Sequence, residues 1–229
     1  MHVHVAFTPA EATRVPSGIV VDVLRATSSI AQALAGGYQR VLCCAEIDEA
    51  RALRQEIPDA VLAGERWAEA IPGFDLGNSP REFAEARGET LILTTTNGTG
   101  AIVAAAAQCD EVLIGSLLNL DAVAAAAREL GRDVEIVCAG VGGRFTLDDV
   151  YCAGRIAQLL DGERSDAAEA AVRIAQSFSS AEEGLRASRN PHEFVVEHDL
   201  EWCARESILD VVPRFAEMHG PAAEIRPSA

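Results

Sequence analysis

Gly18-Ile19-Val20-Val21-Asp22-Val23-Leu24-Arg25-Ala26-Thr27-Ser28-Ser29 is the stretch on which the reading of the chain turns. The β-branched run Ile19-Val20-Val21 suits a buried strand, and from Ala26 through Ile30, Ala31, Ala33 and Leu34 the spacing predicts a helix closed by Gly36-Gly37. Asp22 and Arg25 therefore stand on a strand-to-helix turn. In open α/β sheets the carboxyl ends of the strands are where ligands bind, so this acid and this base are placed at the centre of the chain.

Outward from that turn the same unit recurs. Strands are predicted over 2–7, 40–45, 60–63, 90–96, 111–115 and 134–138, and helices over 48–56, 80–87, 98–108, 120–130 and 146–160. The 60–63 strand runs straight into Gly64-Glu65-Arg66, and a long loop, 67–79, precedes Ser79-Pro80, an N-cap followed by a proline at the first helical position. Thr146 and Asp149 have the spacing of a capping box. Residues 165–188 and 200–208 read as further helices, and Val211-Val212-Pro213 as a terminal or edge strand, because proline cannot donate to a ladder. The alternation predicts a single α/β domain over 1–229, three-layer α/β/α around a largely parallel sheet that tolerates mixed strands, with a helical C-terminal part from about 165.

Composition limits the function classes. A chain of 229 residues that is 49% hydrophobic and 24% charged has the balance of a soluble globular protein. No apolar run approaches a membrane span, and the start lacks the features of a signal peptide, so the expectation is a cytoplasmic protein without membrane partners. A net charge of -16 repels nucleic acid, and repels a small anion at long range too, so an anion site here has to be built locally from arginines, backbone N–H groups or a metal. The six cysteines form no C-x-x-C pair or zinc spacing and read as buried thiols. The late helices offer a face for a homodimer.

The polar clusters Asp22/Arg25, Glu65/Arg66, Asn97/Gly98/Thr99 and Gly140 to Arg144 each follow a predicted strand and so converge on one rim of a parallel sheet. Taken singly, each is a turn or cap; together they make a site. Asp22 and Glu65 are acids of the type that binds Mg²⁺ through oxygen, and they equally suit ion pairs with Arg25 and Arg66. Arg25, Arg66 and Arg144 suit an oxyanion. Asn97-Gly98-Thr99 offers an amide, a close backbone approach and a hydroxyl at a helix N-terminus, and Asn78-Ser79 does the same one helix earlier. Asp148 and Asp149 fall in a first helical turn, where they serve the helix dipole or a metal. Gly140-Val141-Gly142-Gly143 lacks the dinucleotide-loop spacing and no Walker A sequence occurs, which disfavours nucleotides. His2, His4, His192, His198 and His219 belong to no motif.

Five ordered segments resemble the 2-phosphosulfolactate phosphatase family: Asp22 to Thr27, Gly64-Glu65-Arg66, Gly73 to Pro80, Thr94 to Thr99, and Cys138 to Gly140 with Phe145 to Asp149. The resemblance runs from about residue 18 to 160, with a fainter echo from Asp199 to Pro213. It departs from the family's pattern at Asp148, where Glu is expected, and at Trp67, where a small residue is expected. The resemblance implies a Mg²⁺-dependent phosphatase that converts 2-phospho-3-sulfolactate to 3-sulfolactate and phosphate, a step of coenzyme M biosynthesis. It implies hydrolysis near Asp22, Glu65 and Asn97. On that basis the candidate catalytic residues are Asp22, Glu65 and Arg66. The candidate substrate-binding residues are Arg25, Asn78, Ser79, Asn97, Gly98, Thr99 and Arg144. The metal ligands would be Asp22 and Glu65, helped by Asp148 or Asp149. Asp22 as a covalent nucleophile is the competing mechanism, and the other readings are a phosphatase for another small phosphorylated acid or a non-catalytic binder of anionic metabolites.

Overall fold

The structure is a computed structural model that describes residues 1–190 and 197–228. Its strands are β1 (His2–Ala6), β2 (Ser17–Val21), β3 (Arg40–Cys44), β4 (Val61–Arg66), β5 (Glu69–Ala70), β6 (Thr90–Thr94), β7 (Glu111–Gly115), β8 (Val134–Cys138), β9 (Glu163–Arg164), β10 (Pro213–His219) and β11 (Ala222–Pro227). Its helices are α1 (Ala26–Ala35), α2 (Ile47–Glu56), α3 (Gly98–Ala106), α4 (Leu120–Leu130), α5 (Leu147–Leu159), α6 (Asp166–Gln176), α7 (Ala181–Arg186) and α8 (Glu197–Cys203). His192 lies outside the described residues.

The strands form one mixed sheet in the order β5-β4-β6-β3-β11-β10-β7-β2-β8-β1-β9. Within β4-β6-β3 and within β7-β2-β8-β1 all pairings are parallel, as strand–helix alternation requires. Between these two parallel halves sits the antiparallel hairpin β10–β11, with Ile225 opposite Val41 on one side and Arg214 opposite Leu113 on the other. Here the sequence expectation of an edge strand at 211–213 is corrected. Pro213 opens an interior strand, tolerated because it is the first residue, and β11 follows where no strand was expected.

Helices cover both faces. Ile30, Leu34, Ala101 and Ile102 of α1 and α3 pack on Val20, Val41, Val61, Leu91, Val112 and Ile225 of the sheet. On the opposite face α4, α5 and α6 cover β1, β2, β7 and β8, while α2 covers β3, β4 and β6. The result is the expected three-layer α/β/α arrangement with a mostly parallel sheet.

The sheet is not flat, and its curvature makes the site. Five strand spacings separate β6 from β2, about 24 Å in a flat sheet at ~4.8 Å per strand. Yet Gly98, four residues beyond the end of β6 and so at most about 14 Å along the chain, touches Asp22 at the end of β2. The strands must therefore curl around α3, which packs on β2, β3, β7 and β11 alike.

Other local expectations are revised for identifiable reasons. Only a 3-10 turn, Pro80–Phe83, forms where a helix over 80–87 was expected; its capping box between Ser79 and Glu82 is intact, but the turn ends at Ala84. The loop 67–79 contains β5, hairpinned on β4 through Trp67 and Ala68, both at positive φ. The helix expected over 200–208 runs from Glu197 and stops at Cys203. The helical C-terminal part therefore ends there and gives way to the hairpin. No capping box forms at Thr146, because the carboxylate of Asp149 is committed elsewhere. The six cysteines are free thiols, five of them buried.

Candidate active site

The C-terminal ends of β2, β4, β6 and β8 open into a narrow cleft lined by Asp22, Leu24, Arg25, Glu65, Trp67, Ala68, Asn78, Thr96, Asn97, Gly140, Val141, Asp149 and Asn190. Of the candidates drawn from sequence, Asp22, Arg25, Glu65, Asn78, Asn97 and Asp149 meet here. Arg66, Ser79, Gly98, Thr99, Arg144 and Asp148 stand outside this lining.

Asp22 follows directly from β2 and is 9% exposed. Its backbone is fixed by Thr27, whose Oγ1 accepts from Asp22 N–H at 3.1 Å and donates to the Asp22 carbonyl at 2.9 Å. Its Oδ1 accepts from Ala26 N–H at 3.3 Å. Burial pushes its acid up to about 7; the Ala26 N–H and Arg25 pull down, while Glu65 and Asp148 push up further. A Cβ at Gly98 would stand 2.4 Å from Asp22 Oδ2 and 2.5 Å from the Cβ of Ala26, so only glycine lets the start of α3 meet the carboxylate.

Glu65, in β4, holds the opposite wall. Its Oε1 accepts from Thr96 N–H at 2.7 Å, and its Oε2 accepts from Thr96 Oγ1 at 2.9 Å and from Ala68 N–H at 2.7 Å. One carboxylate thereby ties the β6–α3 turn to the β4–β5 turn. Arg66 points the other way, donating to the carbonyls of Glu65 and Ala45 and to Thr94 Oγ1. Thr99 is occupied with Thr95: its Oγ1 accepts from Thr95 N–H, and its own N–H donates to Thr95 Oγ1. Asn97 Oδ1 accepts from Gly142 N–H at 3.1 Å, joining the start of α3 to the loop after β8.

Asp149 closes the floor. Its Oδ1 accepts from Val23 N–H and its Oδ2 from Gly140 N–H, each at 2.9 Å, so it clasps the turns after β2 and β8. Burial raises its acid well above the usual carboxylate range, with Asp148 and Asp22 adding to the rise. Asp148 lies behind it, fully buried, accepting from Ser188 Oγ at 2.9 Å and Asn190 Nδ2 at 2.8 Å. Arg25 is held by Asp199, with Nη1 to Oδ2 at 2.7 Å, and Ser79 Oγ donates to the other oxygen of Asp199 at 2.5 Å. Arg144 lines a neighbouring, wider cavity of about 460 Å³ with Phe145, Thr146 and Arg189, which shares Trp67, Val141 and Asn190 with the cleft.

The donor set can be asked whether it suits a divalent cation. Among the described residues no three His, Cys, Asp or Glu side chains gather closely enough to chelate one alone. Mg²⁺ commonly uses one or two carboxylates and completes its octahedron with water and substrate phosphate. Asp22 and Glu65 on the lining provide that number, and Asp149 stands beside them with each oxygen already accepting a backbone N–H. Asn78 Oδ1, buried without a hydrogen-bond partner among the described residues, is a further oxygen awaiting a cation or donor. The site therefore fits a dication that shares its coordination with substrate and water.

Sequence reasoning did not single out Thr96, Asn190 or Asp199 as site residues. Thr96 stood inside a quoted segment and Asp199 at the start of the fainter echo. Asn190 carried no signal at all.

A family model described as 2-phosphosulpholactate phosphatase matches residues 6–218. The 2-phosphosulfolactate phosphatase of Methanothermobacter thermautotrophicus is 40% identical over 87% of this chain and 86% of its own length. Proteins named probable 2-phosphosulfolactate phosphatase are 39% identical in Carboxydothermus hydrogenoformans, over 85% of this chain and 84% of theirs, and 38% identical in Clostridium acetobutylicum, over 87% and 89%. With a match of that length and identity, the chain belongs to the 2-phosphosulpholactate phosphatase family of phosphoric monoester hydrolases.

Proposed function

We propose that this chain hydrolyses 2-phospho-3-sulfolactate to 3-sulfolactate and phosphate in a Mg²⁺-dependent reaction, the step of coenzyme M biosynthesis that the family resemblance implies. The observation that carries the reading is the convergence of Asp22, Arg25, Glu65, Asn97 and Asp149, from distant parts of the chain, on one cleft. A group of buried acids in one cleft is the natural complement of a dication, and the relatives' names supply the phosphoester.

In this reading Asp22 and Glu65 would hold Mg²⁺ with Asp149 beside them, while Asp148 stays behind and orients Asn190. Such an ion would supply a Lewis acid that polarises the phosphoryl group and activates water. Arg25 directs N–H groups at the phosphoryl oxygens, where charge-assisted bonds are strongest. Asn97 and the start of α3 add the positive end of a helix dipole. The oxygen of water forms the new bond to phosphorus as the bond to the sulfolactate oxygen breaks. Water loses a proton as its oxygen bonds to phosphorus and the departing sulfolactate oxygen gains one; in this reading Asp22 carries it between them. Arg144, in the adjoining cavity, is assigned the anionic group at the far end of the substrate.

The test is phosphate release from 2-phospho-3-sulfolactate and from phospho-acids without a sulfonate, with Mg²⁺ and with EDTA. Mg²⁺-dependent release preferring the sulfonated ester is expected, and Asp22→Asn should lower it by at least about 10³-fold, the scale for loss of a key catalytic group. Preference for a non-sulfonated acid would assign a different substrate, and binding of these anions without turnover would make the protein a metabolite binder.

A further inference from the structure

Asp199 is a buried acid that the reaction above leaves without a task. It is 1% exposed on α8, a helix that reaches the cleft from 174 residues beyond Arg25. Its two oxygens face different partners: Oδ2 accepts from Arg25 Nη1 at 2.7 Å and Oδ1 from Ser79 Oγ at 2.5 Å. Ser79 is itself immobilised, because it caps the 3-10 turn in a capping box with Glu82.

Guanidinium is a planar fork of five N–H donors on a long flexible stem. In this cleft its neighbours include Asp22, Glu65 and Asp149, each able to attract it. Fixing one nitrogen with a carboxylate that is anchored from behind sets the plane of the fork and leaves other N–H groups for a ligand.

We propose that Asp199 is a positioning residue: braced by Ser79, it holds Arg25 aimed at the phosphoryl oxygens and away from the acids of the cleft. This rests on the assignment of Arg25 as a phosphate-binding residue. The alternative is an ion pair that only fastens α8 to the body of the protein. The two differ in whether the effect of Asp199 on ligand passes through Arg25.

The deciding experiment measures kcat, KM for 2-phospho-3-sulfolactate and the competitive inhibition constant of inorganic phosphate for Asp199→Asn, Arg25→Ala, the double variant and Ser79→Ala, with the Tm of each. Misaiming a substrate-holding group costs up to about 100-fold. Asp199→Asn is therefore expected to raise KM and the phosphate inhibition constant by about 10- to 100-fold, and Ser79→Ala to raise them less. The double variant should bind phosphate no worse than Arg25→Ala alone, the signature of residues acting as a unit. Losses that multiply in the double variant, or a lowered Tm with an unchanged inhibition constant, would overturn the proposal. If Asp199→Asn fails to fold, Ser79→Ala decides, and an unchanged inhibition constant there overturns it as well. An Arg25→Ala protein that binds phosphate normally would instead sink the phosphate-binding role of Arg25, and the positioning role with it.

Discussion

At neutral pH Asp22 holds its proton far more firmly than an ordinary aspartate, because burial removes the water that would stabilise its charge and Glu65 and Asp148 add to the cost. The consequence for stability has a definite sign. Below the ordinary value of 3.8 both folded and unfolded chains are protonated at this position; from there to about 7 only the folded chain is, and it gives up stability as the proton is drawn off. In the metal-free protein, Asp22→Asn should therefore melt higher than the parent at pH 8, with the gap closing toward pH 5. A gap that stays constant across that range would show that the carboxylate ionises normally. Mg²⁺ should raise the melting temperature of the parent at pH 8 and do so much less for the variant, since a ligand stabilises only the form that binds it.

Among the elements, α3 decides how tightly the cleft can be drawn together, through two glycines with opposite surroundings. A methyl at Gly98 would run into Asp22 Oδ2 and Ala26, whereas nothing lies within 4 Å of the Cβ position at Gly100. Gly98→Ala should destabilise by about 1–3 kcal/mol, the usual cost of overpacking, and reduce turnover sharply by pushing α3 off Asp22. Gly100→Ala should leave turnover unchanged and stabilise by up to about 1 kcal/mol through helix propensity. Chemical denaturation and steady-state assays on the two variants check both statements. If Gly98→Ala were as active as the parent, contact between α3 and Asp22 would not matter to the site. Helix α5 shows the same economy in another way: its first-turn Asp149, positioned for a capping box, instead binds the N–H groups of Val23 and Gly140 and leaves Thr146 Oγ1 buried without a partner among the described residues. A capping contact has been given up so that two strand-end turns meet.

For the molecule as a whole, the C-terminal hairpin is the keystone of the sheet, since among the described residues β10 and β11 are the strands that hydrogen-bond its two parallel halves together. Deleting residues 213–228 would expose the ladder edges of β3 and β7, together with Val41, Cys43 and Leu113 from the core. Unpaired apolar edges template aggregation, so the truncated chain should lose most of its soluble yield and scatter light. A monodisperse, active truncation would contradict the hairpin's central place. The same architecture reconciles the charge of -16 with an anionic substrate. Arg25 is set inside the cleft, where low dielectric strengthens its attraction, while the wider surface stays acidic. Among the described residues no helix is long and apolar enough to cross a membrane.

The legible part of this protein was whatever the chain encodes locally. The strand Ile19-Val20-Val21, the helix after Ala26 and the strand–helix alternation through Cys138, except at the 3-10 turn Pro80–Phe83, follow from periodicity and glycine stops. Since parallel strands all point one way, the gathering of Asp22, Glu65 and Asn97 at one rim followed from them as well. What the residues do once gathered was not legible, because a hydrogen bond between positions 174 apart leaves no periodic trace. Arg66 turns back to the sheet, Thr99 serves its own helix, Arg144 faces the neighbouring cavity, and Asp199 holds Arg25, all settled by where neighbouring backbones offer carbonyls, amides and space. The sequence by itself determined the layers and the rim. Only the tertiary structure, by curling the sheet about α3 and seating the hairpin at its centre, decided which side chains at that rim line the cleft and which are spent holding the others in place.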